Sequence, residues 1–184
     1  MSVSEIKIGG FGGQGVILTG VIIGQAAAIY DDKYSTMTQA FGPEARGSSC
    51  SSQVIISEEQ ILYPYVTNPD VLVVMSQDAC TRFAPALKQN ARSMLLYEKD
   101  LVKLDGLDCK ATKYGIPATR FAEELGRKMV LNIVMVGFFT AISKLISVDA
   151  VRSAVKDEVP RGTESLNLSA FDKGYNYGLE LLKA

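Results

Sequence analysis

The segment Gly9-Gly10-Phe11-Gly12-Gly13-Gln14-Gly15 decides the fold of this chain, because five of its seven residues are glycine. The β-rich run at residues 5–8 before it predicts a buried strand, and the apolar run at residues 16–30 after it predicts a helix. In such a setting, glycines allow backbone N–H groups to approach a phosphate at the positive end of a helix. The segment therefore predicts an anion-binding turn between the first strand and the first helix.

Gly10, Gly12 and Gly15 also spell G-x-G-x-x-G, the fingerprint of NAD- and FAD-binding domains. That fingerprint requires an acidic residue at the end of the second strand to bind the ribose hydroxyls. The second strand is predicted at residues 33–38, and it ends in Thr38-Gln39. A stand-alone NAD(P)- or FAD-binding oxidoreductase is therefore one open interpretation, although half of the fingerprint is missing. A tight turn that binds nothing is the other open interpretation.

The rest of the chain alternates predicted strands and helices. Further strands are predicted at residues 53–57, 71–75, 93–97 and 111–114, and further helices at 79–88, 119–126, 129–145, 149–155 and after Pro160. The connection before residues 53–57 is short, which favours an antiparallel return of that strand. We therefore predict a single domain over residues 1–184, an α/β fold with three α/β/α layers, Rossmann-like, around a mostly parallel but mixed sheet.

Composition argues against several classes of function. The chain carries 19 basic and 20 acidic residues, scattered along 184 positions, so no electrostatic footprint for nucleic acid is present. The longest apolar stretches contain polar residues and are shorter than a bilayer requires, so no membrane association is predicted. Three cysteines about 30 residues apart fit neither a disulfide framework nor an iron–sulfur or zinc site. The first residues do not resemble a secretory signal, and a cytoplasmic location is expected.

Catalytic residues are not predicted on this chain. Histidine, the commonest general base and neutral metal ligand, is missing from the sequence. The carboxylates show no paired spacing typical of acid–base catalysis. Cys50 is a possible nucleophile, but a small buried or half-buried thiol is the favoured interpretation because no histidine can activate it. No metal site is predicted either.

A second unusual segment, residues 39–52, combines a Gly-Pro step with many hydroxyl side chains and no hydrophobic periodicity. We predict a long irregular loop there, and such loops in compact domains are typically functional or disordered. Arg46 is either a solvated surface charge or a ligand for a carboxylate, a phosphate or a partner chain. Asn132 stands alone in the apolar run 129–136. Because a buried amide needs a bonding partner, Asn132 is predicted to be a structural link or part of an interface.

Three segments together resemble the gamma subunit of 2-oxoacid:ferredoxin oxidoreductases. They are the glycine segment, Thr38-Gln39-Ala40-Phe41-Gly42-Pro43-Glu44-Ala45-Arg46-Gly47, and residues 132–137. The resemblance spans residues 6–182, and its second segment is most similar to the 2-oxoglutarate branch. One position departs from the pattern, because Ser48 stands where many relatives have a second glycine. Such enzymes convert a 2-oxoacid and coenzyme A to an acyl-CoA and carbon dioxide, and they pass electrons to ferredoxin.

The resemblance implies that this chain is a subunit that is inactive when isolated. A stand-alone NAD(P)- or FAD-binding oxidoreductase and a purely structural subunit are the alternatives. Thiamine diphosphate would lie on alpha and beta partner subunits, and iron–sulfur clusters on partners that include a ferredoxin-like delta subunit. The residues implied to hold a phosphate of coenzyme A are Gly12, Gly13, Gln14 and Gly15. The residues implied to lie near the active site or at a partner interface are Phe41, Gly42, Pro43, Glu44, Arg46, Gly47 and Ser48.

Overall fold

The structure, a computed structural model, describes residues 3–42 and 47–183. Its strands are β1 (Ser4–Phe11), β2 (Tyr34–Phe41), β3 (Ser49–Ser57), β4 (Val71–Val74), β5 (Met94–Glu98) and β6 (Thr112–Ile116). Its α-helices are α1 (Val16–Gln25), α2 (Gln77–Phe83), α3 (Ala118–Glu124), α4 (Leu131–Ser143), α5 (Val148–Glu158) and α6 (Glu164–Leu181). A π-helical turn (Ala26–Tyr30) extends α1, and short 3-10 helices follow α2 (Ala84–Ala86) and precede α4 (Lys128–Val130). Every predicted strand and helix is present, with shifted ends.

The strands form one six-stranded sheet in the order β2-β3-β1-β4-β5-β6. β1 pairs in parallel with β4, and β4, β5 and β6 continue in parallel. β3 is antiparallel to both of its neighbours, β1 and β2. The predicted antiparallel return and the mixed, mostly parallel sheet are therefore confirmed, as is the α/β fold class.

The two faces of this sheet are covered unequally. On one face, Ile8 and its neighbours pack into the larger core beneath α1, α3, α4, α5 and α6. On the other face, Leu72 and its neighbours pack into a smaller core beneath α2. Within the described residues, no helix covers β2 and β3 on this second face. The segment 58–70 reaches it instead, where the Val66 N–H donates to Gln53 Oε1 over 2.8 Å. Part of the sheet therefore stays open to form a cleft.

β1 is longer than predicted, because Gly9 and Gly10 belong to the strand and only residues 12–15 form the turn. β3 pairs along the whole length of β1, and on the opposite side of β1 the Gly9 carbonyl accepts from the Met75 N–H over 2.9 Å. A Cβ at Gly9 would lie 2.8 Å from the ring of Phe83 in α2. A Cβ at Gly10 would lie 2.9 Å from the side chain of Val16 in α1. The glycine pair thus lets helices pack closely on both faces of the central strand.

The prediction of a long irregular loop at residues 39–52 is wrong for half of that length. β2 continues to Phe41 and β3 begins at Ser49, so the two strands form a hairpin. Backbone pairing between the strands stabilises this conformation even though the side chains lack apolar alternation. Between the two strands the structure describes residues 42, 47 and 48, which lie outside the strands and which we call the hairpin tip.

α4 is buried along all of its thirteen residues, and it packs against α6 through two glycines. A Cβ at Gly137 of α4 would overlap the carbonyl oxygen of Phe171 in α6. A Cβ at Gly174 of α6 would overlap the carbonyl oxygen of Val134 in α4. The two helices therefore touch backbone to backbone. Although α4 is strongly apolar, none of the helices in the described ranges is both long and apolar enough to cross a membrane.

β5 ends in Glu98, whose side chain is fully buried. Its carboxylate accepts hydrogen bonds from the Thr119 hydroxyl and the Ala118 N–H, both at the start of α3. It also accepts from the N–H of Asp100, just after β5. Burial raises the pKa of Glu98 above its ordinary value and outweighs these hydrogen bonds, which act in the opposite direction.

We expect Glu98 to make the free energy of unfolding fall as pH rises above about 4.5, the ordinary pKa of glutamate. Above that pH the unfolded chain releases the Glu98 proton while the folded chain still holds it, so deprotonation favours unfolding until the raised folded-state pKa is passed. Urea unfolding at several pH values from about 4 to about 7 measures the free energy of unfolding of the wild type and of Glu98→Gln. The difference in stability should move in favour of Glu98→Gln as pH rises. A constant difference would contradict the shift.

Candidate functional site

Residues 12–15 form a tight turn between β1 and α1, which we call the glycine turn. The Gln14 N–H donates to the Phe11 carbonyl over 3.0 Å and closes it. Gly13 and Gly15 have φ angles of 101° and 72°, in the left-handed region that favours glycine. Gly15 is the N-cap of α1, and no side chain caps the helix there.

The start of α1 presents unpaired backbone donors. Within residues 3–42 and 47–183, the N–H groups of Gly13, Gly15 and Val16 donate to no protein acceptor. The first turn of α1 also holds no acidic side chain. A helix N-terminus carries a partial positive charge, and unpaired N–H groups there bind anions such as phosphate or carboxylate.

The side chain of Gln14 is engaged inside the protein. Its Oε1 accepts from the Phe11 N–H over 2.7 Å, and its Nε2 donates to the Met75 carbonyl over 2.8 Å. The amide therefore links the end of β1 to the chain just after β4. The contact of Gln14 with coenzyme A stays a prediction. Because its side-chain amide and its N–H already have partners, its observed role is to fix the glycine turn.

The hairpin tip lies against the glycine turn. The Gly12 N–H donates to the Ser48 carbonyl over 2.9 Å, and the Gly47 N–H donates to the Gly12 carbonyl over 3.4 Å. Gly12, Ser48 and Phe41, whose side chain is 66% exposed, line a cleft of about 320 Å³ beside the first turn of α1. The structure thus brings together two segments that the sequence analysis singled out separately.

Other residues of the second segment have structural contacts or lie outside the described part of the chain. The Gly42 N–H donates to the Ser49 carbonyl over 2.9 Å and closes the hairpin. Cys50 is buried, and burial raises the pKa of its thiol, which opposes nucleophilic reactivity. The predicted site residues outside the described ranges are Pro43, Glu44 and Arg46.

Asn132, near the start of α4, packs directly beneath the glycine turn. It is 3% exposed, and a Cβ at Gly15 would lie 2.5 Å from its Cγ. Its Nδ2 has no hydrogen-bond partner among the described residues. Asn132 therefore supports the turn by packing, and the choice between a structural link and an interface residue stays a prediction.

The geometry does not complete a dinucleotide site. β3 lies between β1 and β2, so the end of β2 is two strand spacings, roughly 10 Å, from the end of β1. The end of β2 reads Thr38-Gln39-Ala40-Phe41 and offers no carboxylate to a ribose. Gln14 occupies the position between β1 and β4 where such sheets open into a cofactor crevice. In the described ranges, no group of three Cys, Asp or Glu side chains is arranged to hold a metal ion.

Two cations on the far side of the hairpin, Lys7 and Arg82, are not among the residues predicted from the sequence. A signal for Lys7 was present, because it is a charged residue inside a predicted buried strand. The alternation of β1 places it on the face opposite Ile6 and Ile8. No local signal marks Arg82, which lies near Lys7 only through the packing of α2 on β1.

The chain is similar to known proteins in sequence and in fold. The profile of the family described as pyruvate ferredoxin/flavodoxin oxidoreductase matches residues 5–177. The chain is 46% identical over 179 residues to 2-oxoglutarate synthase subunit KorC of Methanocaldococcus jannaschii, covering 96% of this chain and 95% of that one. It is 35% identical to the gamma subunit of a keto/oxoacid ferredoxin oxidoreductase from Geobacter sulfurreducens, with a TM-score of 0.88 and 98% of each chain covered.

A third similar structure is more distant in sequence. It is a 2-oxoglutarate:ferredoxin oxidoreductase from Magnetococcus marinus with 2-oxoglutarate, coenzyme A and succinyl-CoA bound. The TM-score is 0.87 at 23% identity, and the match covers all of this chain and 32% of that one. This comparison shows a shared fold.

Proposed function

The chain belongs to the pyruvate ferredoxin/flavodoxin oxidoreductase family, and we propose that it is the gamma subunit of a 2-oxoglutarate:ferredoxin oxidoreductase. Similarity to KorC over nearly the whole of both chains supports 2-oxoglutarate as the substrate. In this proposal the assembled enzyme converts the oxoacid and coenzyme A to an acyl-CoA and carbon dioxide, with reduction of ferredoxin. The whole chain acts as one gamma domain.

In the proposed complex, the cofactors are bound by partner chains and not by this chain. Thiamine diphosphate, on the alpha and beta subunits, supplies the chemistry of decarboxylation. Iron–sulfur clusters belong to partners that include a ferredoxin-like delta subunit. This chain contributes binding and assembly, and it contributes no catalytic residue.

The observation that carries the proposal is the uncapped start of α1. The N–H groups of Gly13, Gly15 and Val16, which have no acceptor among the described residues, border a cleft that is also lined by Gly42 and Ser48 of the hairpin tip. A phosphate of coenzyme A has the charge and the acceptor oxygens that such donors bind. The coenzyme A bound to the Magnetococcus marinus enzyme, which shares this fold, supports the same ligand class.

We expect Gly13→Ala, in the assembled enzyme, to raise the KM for coenzyme A by about tenfold, the effect of weakening one charge-assisted hydrogen bond. A Cβ at Gly13 meets no described atom within 4 Å, so the substitution disturbs the left-handed turn without a clash. Gly162→Ala is the matched control, because Gly162 has a similar φ of 85°, equally open surroundings and a position in the turn between α5 and α6. Steady-state kinetics with varied coenzyme A measure both variants.

The control should lose stability to the same extent and keep its KM for coenzyme A. An assembled Gly13→Ala enzyme with an unchanged KM would refute the contact with coenzyme A. Loss of assembly by a folded Gly13→Ala chain would favour a purely structural subunit. Turnover of 2-oxoglutarate by the isolated chain would contradict its proposed place as a subunit.

A further inference from the structure

A second cleft, of about 430 Å³, lies across the hairpin from the glycine turn. Its lining includes Lys7, Ser49, Gln53, Arg82 and Phe83. It lies on the face of the sheet where no described helix covers β2 and β3, so it is open to solvent from that side. We call it the Lys7–Arg82 cleft.

Two cationic side chains, Lys7 and Arg82, line this cleft without a described counter-charge. The Lys7 ammonium lies 4.4 Å from the centroid of the Phe83 ring, and the Arg82 guanidinium lies 5.4 Å from the same centroid. Neither side chain forms an ion pair with a carboxylate in residues 3–42 and 47–183. Burial, and the charge of Arg82 beside it, lower the pKa of Lys7. A bound anion would act on this pKa in the opposite direction, because an opposite charge favours the ammonium form.

Polar groups on the wall of the cleft add hydrogen-bonding capacity. The Ser49 hydroxyl is buried and has no hydrogen-bond partner among the described residues. Among the described residues, Gln53 bonds through its Oε1, to the Val66 N–H, and its Nε2 donates to no described acceptor. An ammonium, a guanidinium, a hydroxyl and an amide form a donor set that suits an anion with several acceptor oxygens.

We propose that the Lys7–Arg82 cleft binds a phosphate group of a small-molecule ligand. A phosphate dianion matches the two cations in charge, and its oxygens match the surrounding donors in number better than a single carboxylate does. The site differs from the glycine turn in its side-chain cations, whereas the turn offers backbone N–H groups. It stands whether or not the glycine turn holds coenzyme A. The phosphate could come from coenzyme A or from another phosphorylated metabolite.

Isothermal titration of the full chain with inorganic phosphate, at constant ionic strength, tests the proposal. We expect Lys7→Met and Arg82→Gln each to weaken phosphate binding by about tenfold. Arg161→Gln removes the same charge from an exposed site that has no described ion pair, and it should bind phosphate like the wild type. Arg82 is exposed, so its variant should fold even if Lys7→Met does not.

Gly13→Ala separates this site from the glycine turn, because phosphate bound in the Lys7–Arg82 cleft should remain bound in that variant. Competition by coenzyme A, but not by 3′-dephospho-coenzyme A, would identify the 3′-phosphate as the ligand group. Equal binding by wild type and Arg82→Gln would overturn the proposal. Binding of 2-oxoglutarate but not phosphate would overturn the assignment to phosphate. If the variants instead lose only assembly with partner chains, the cleft is a protein contact and the proposal fails.

Discussion

Gly137→Ala is expected to destabilise the chain by about 3 kcal/mol or more, the upper end of the range for overpacking a core. The added Cβ would overlap the carbonyl oxygen of Phe171 in α6. A side chain can escape a clash by changing its rotamer, but a helical carbonyl group cannot move without the helix. α6 must therefore shift away from α4, and Phe171, which is fully buried, must move with it.

Gly174→Ala should behave in the same way, because its Cβ would overlap the carbonyl oxygen of Val134 from the opposite side. Thermal unfolding should show a loss of Tm on the order of 10 °C for either variant, since a chain of this size loses roughly 2–4 °C per kcal/mol. Each added Cβ pushes the two helices apart, and neither substitution relieves the overlap that the other creates. The double variant should therefore be no more stable than either single variant.

Gly24→Ala is the matched control for a glycine inside a helix. A Cβ there would lie 3.4 Å from Ser35 Oγ and 3.9 Å from Val54 Cγ1, which are ordinary contacts. Alanine is the better helix former, so Gly24→Ala should be neutral or stabilise the chain by about 0.5–1 kcal/mol. A Gly137→Ala chain as stable as the wild type would show that α4 and α6 do not pack as closely as described.

Gly15→Ala is the second substitution with a large expected effect. Its left-handed φ of 72° would strain an alanine backbone by roughly 1–2 kcal/mol. Its Cβ would also lie 2.5 Å from Cγ and 2.6 Å from Nδ2 of the buried Asn132. Overpacking of that kind adds roughly 1–3 kcal/mol. We expect a loss of about 2–5 kcal/mol in the free energy of unfolding, together with distortion of the start of α1.

A double-mutant cycle with Asn132→Ala separates these two effects. Removing the amide group relieves the contacts at 2.5 and 2.6 Å, whereas the contact at 2.8 Å with the Cβ of residue 132 and the backbone strain at residue 15 remain. Urea unfolding of the single and double variants should therefore show partial recovery, so that the double variant is more stable than the sum of the single losses predicts. Additive losses would contradict the packing of Asn132 against Gly15.

Much of the fold follows from local patterns in the sequence, and the exceptions have non-local causes. Glycines have low strand propensity, so Gly9 and Gly10 read as loop. They lie in β1 because β3 pairs with them and because Phe83 and Val16 pack closely over them. Residues 39–52 read as irregular for a related reason. Pairing of β2 with β3 decides their conformation, and apolar alternation does not.

The candidate site was only partly predictable for the same reason. The glycine turn follows from residue types and from the flanking strand and helix. The hydrogen bonds from Gly12 to the hairpin tip involve backbone groups, which carry no sequence signal. Gln14 looked like a ligand contact, but its side chain reaches Met75, whose position depends on the pairing of β1 with β4.

The contact between Gly12 and the hairpin tip couples the conformational freedom of two segments. Its two hydrogen bonds join the turn to residues 47 and 48, so immobilising either segment reduces the freedom of the other. If a partner chain contacts the tip in the assembled complex, an anion that orders the turn would lower the conformational entropy that this contact has to remove. Because coupling free energies are reciprocal, a partner on the tip would strengthen anion binding by the same factor. Ligand affinity measured on the isolated chain should then underestimate the affinity in the assembled complex.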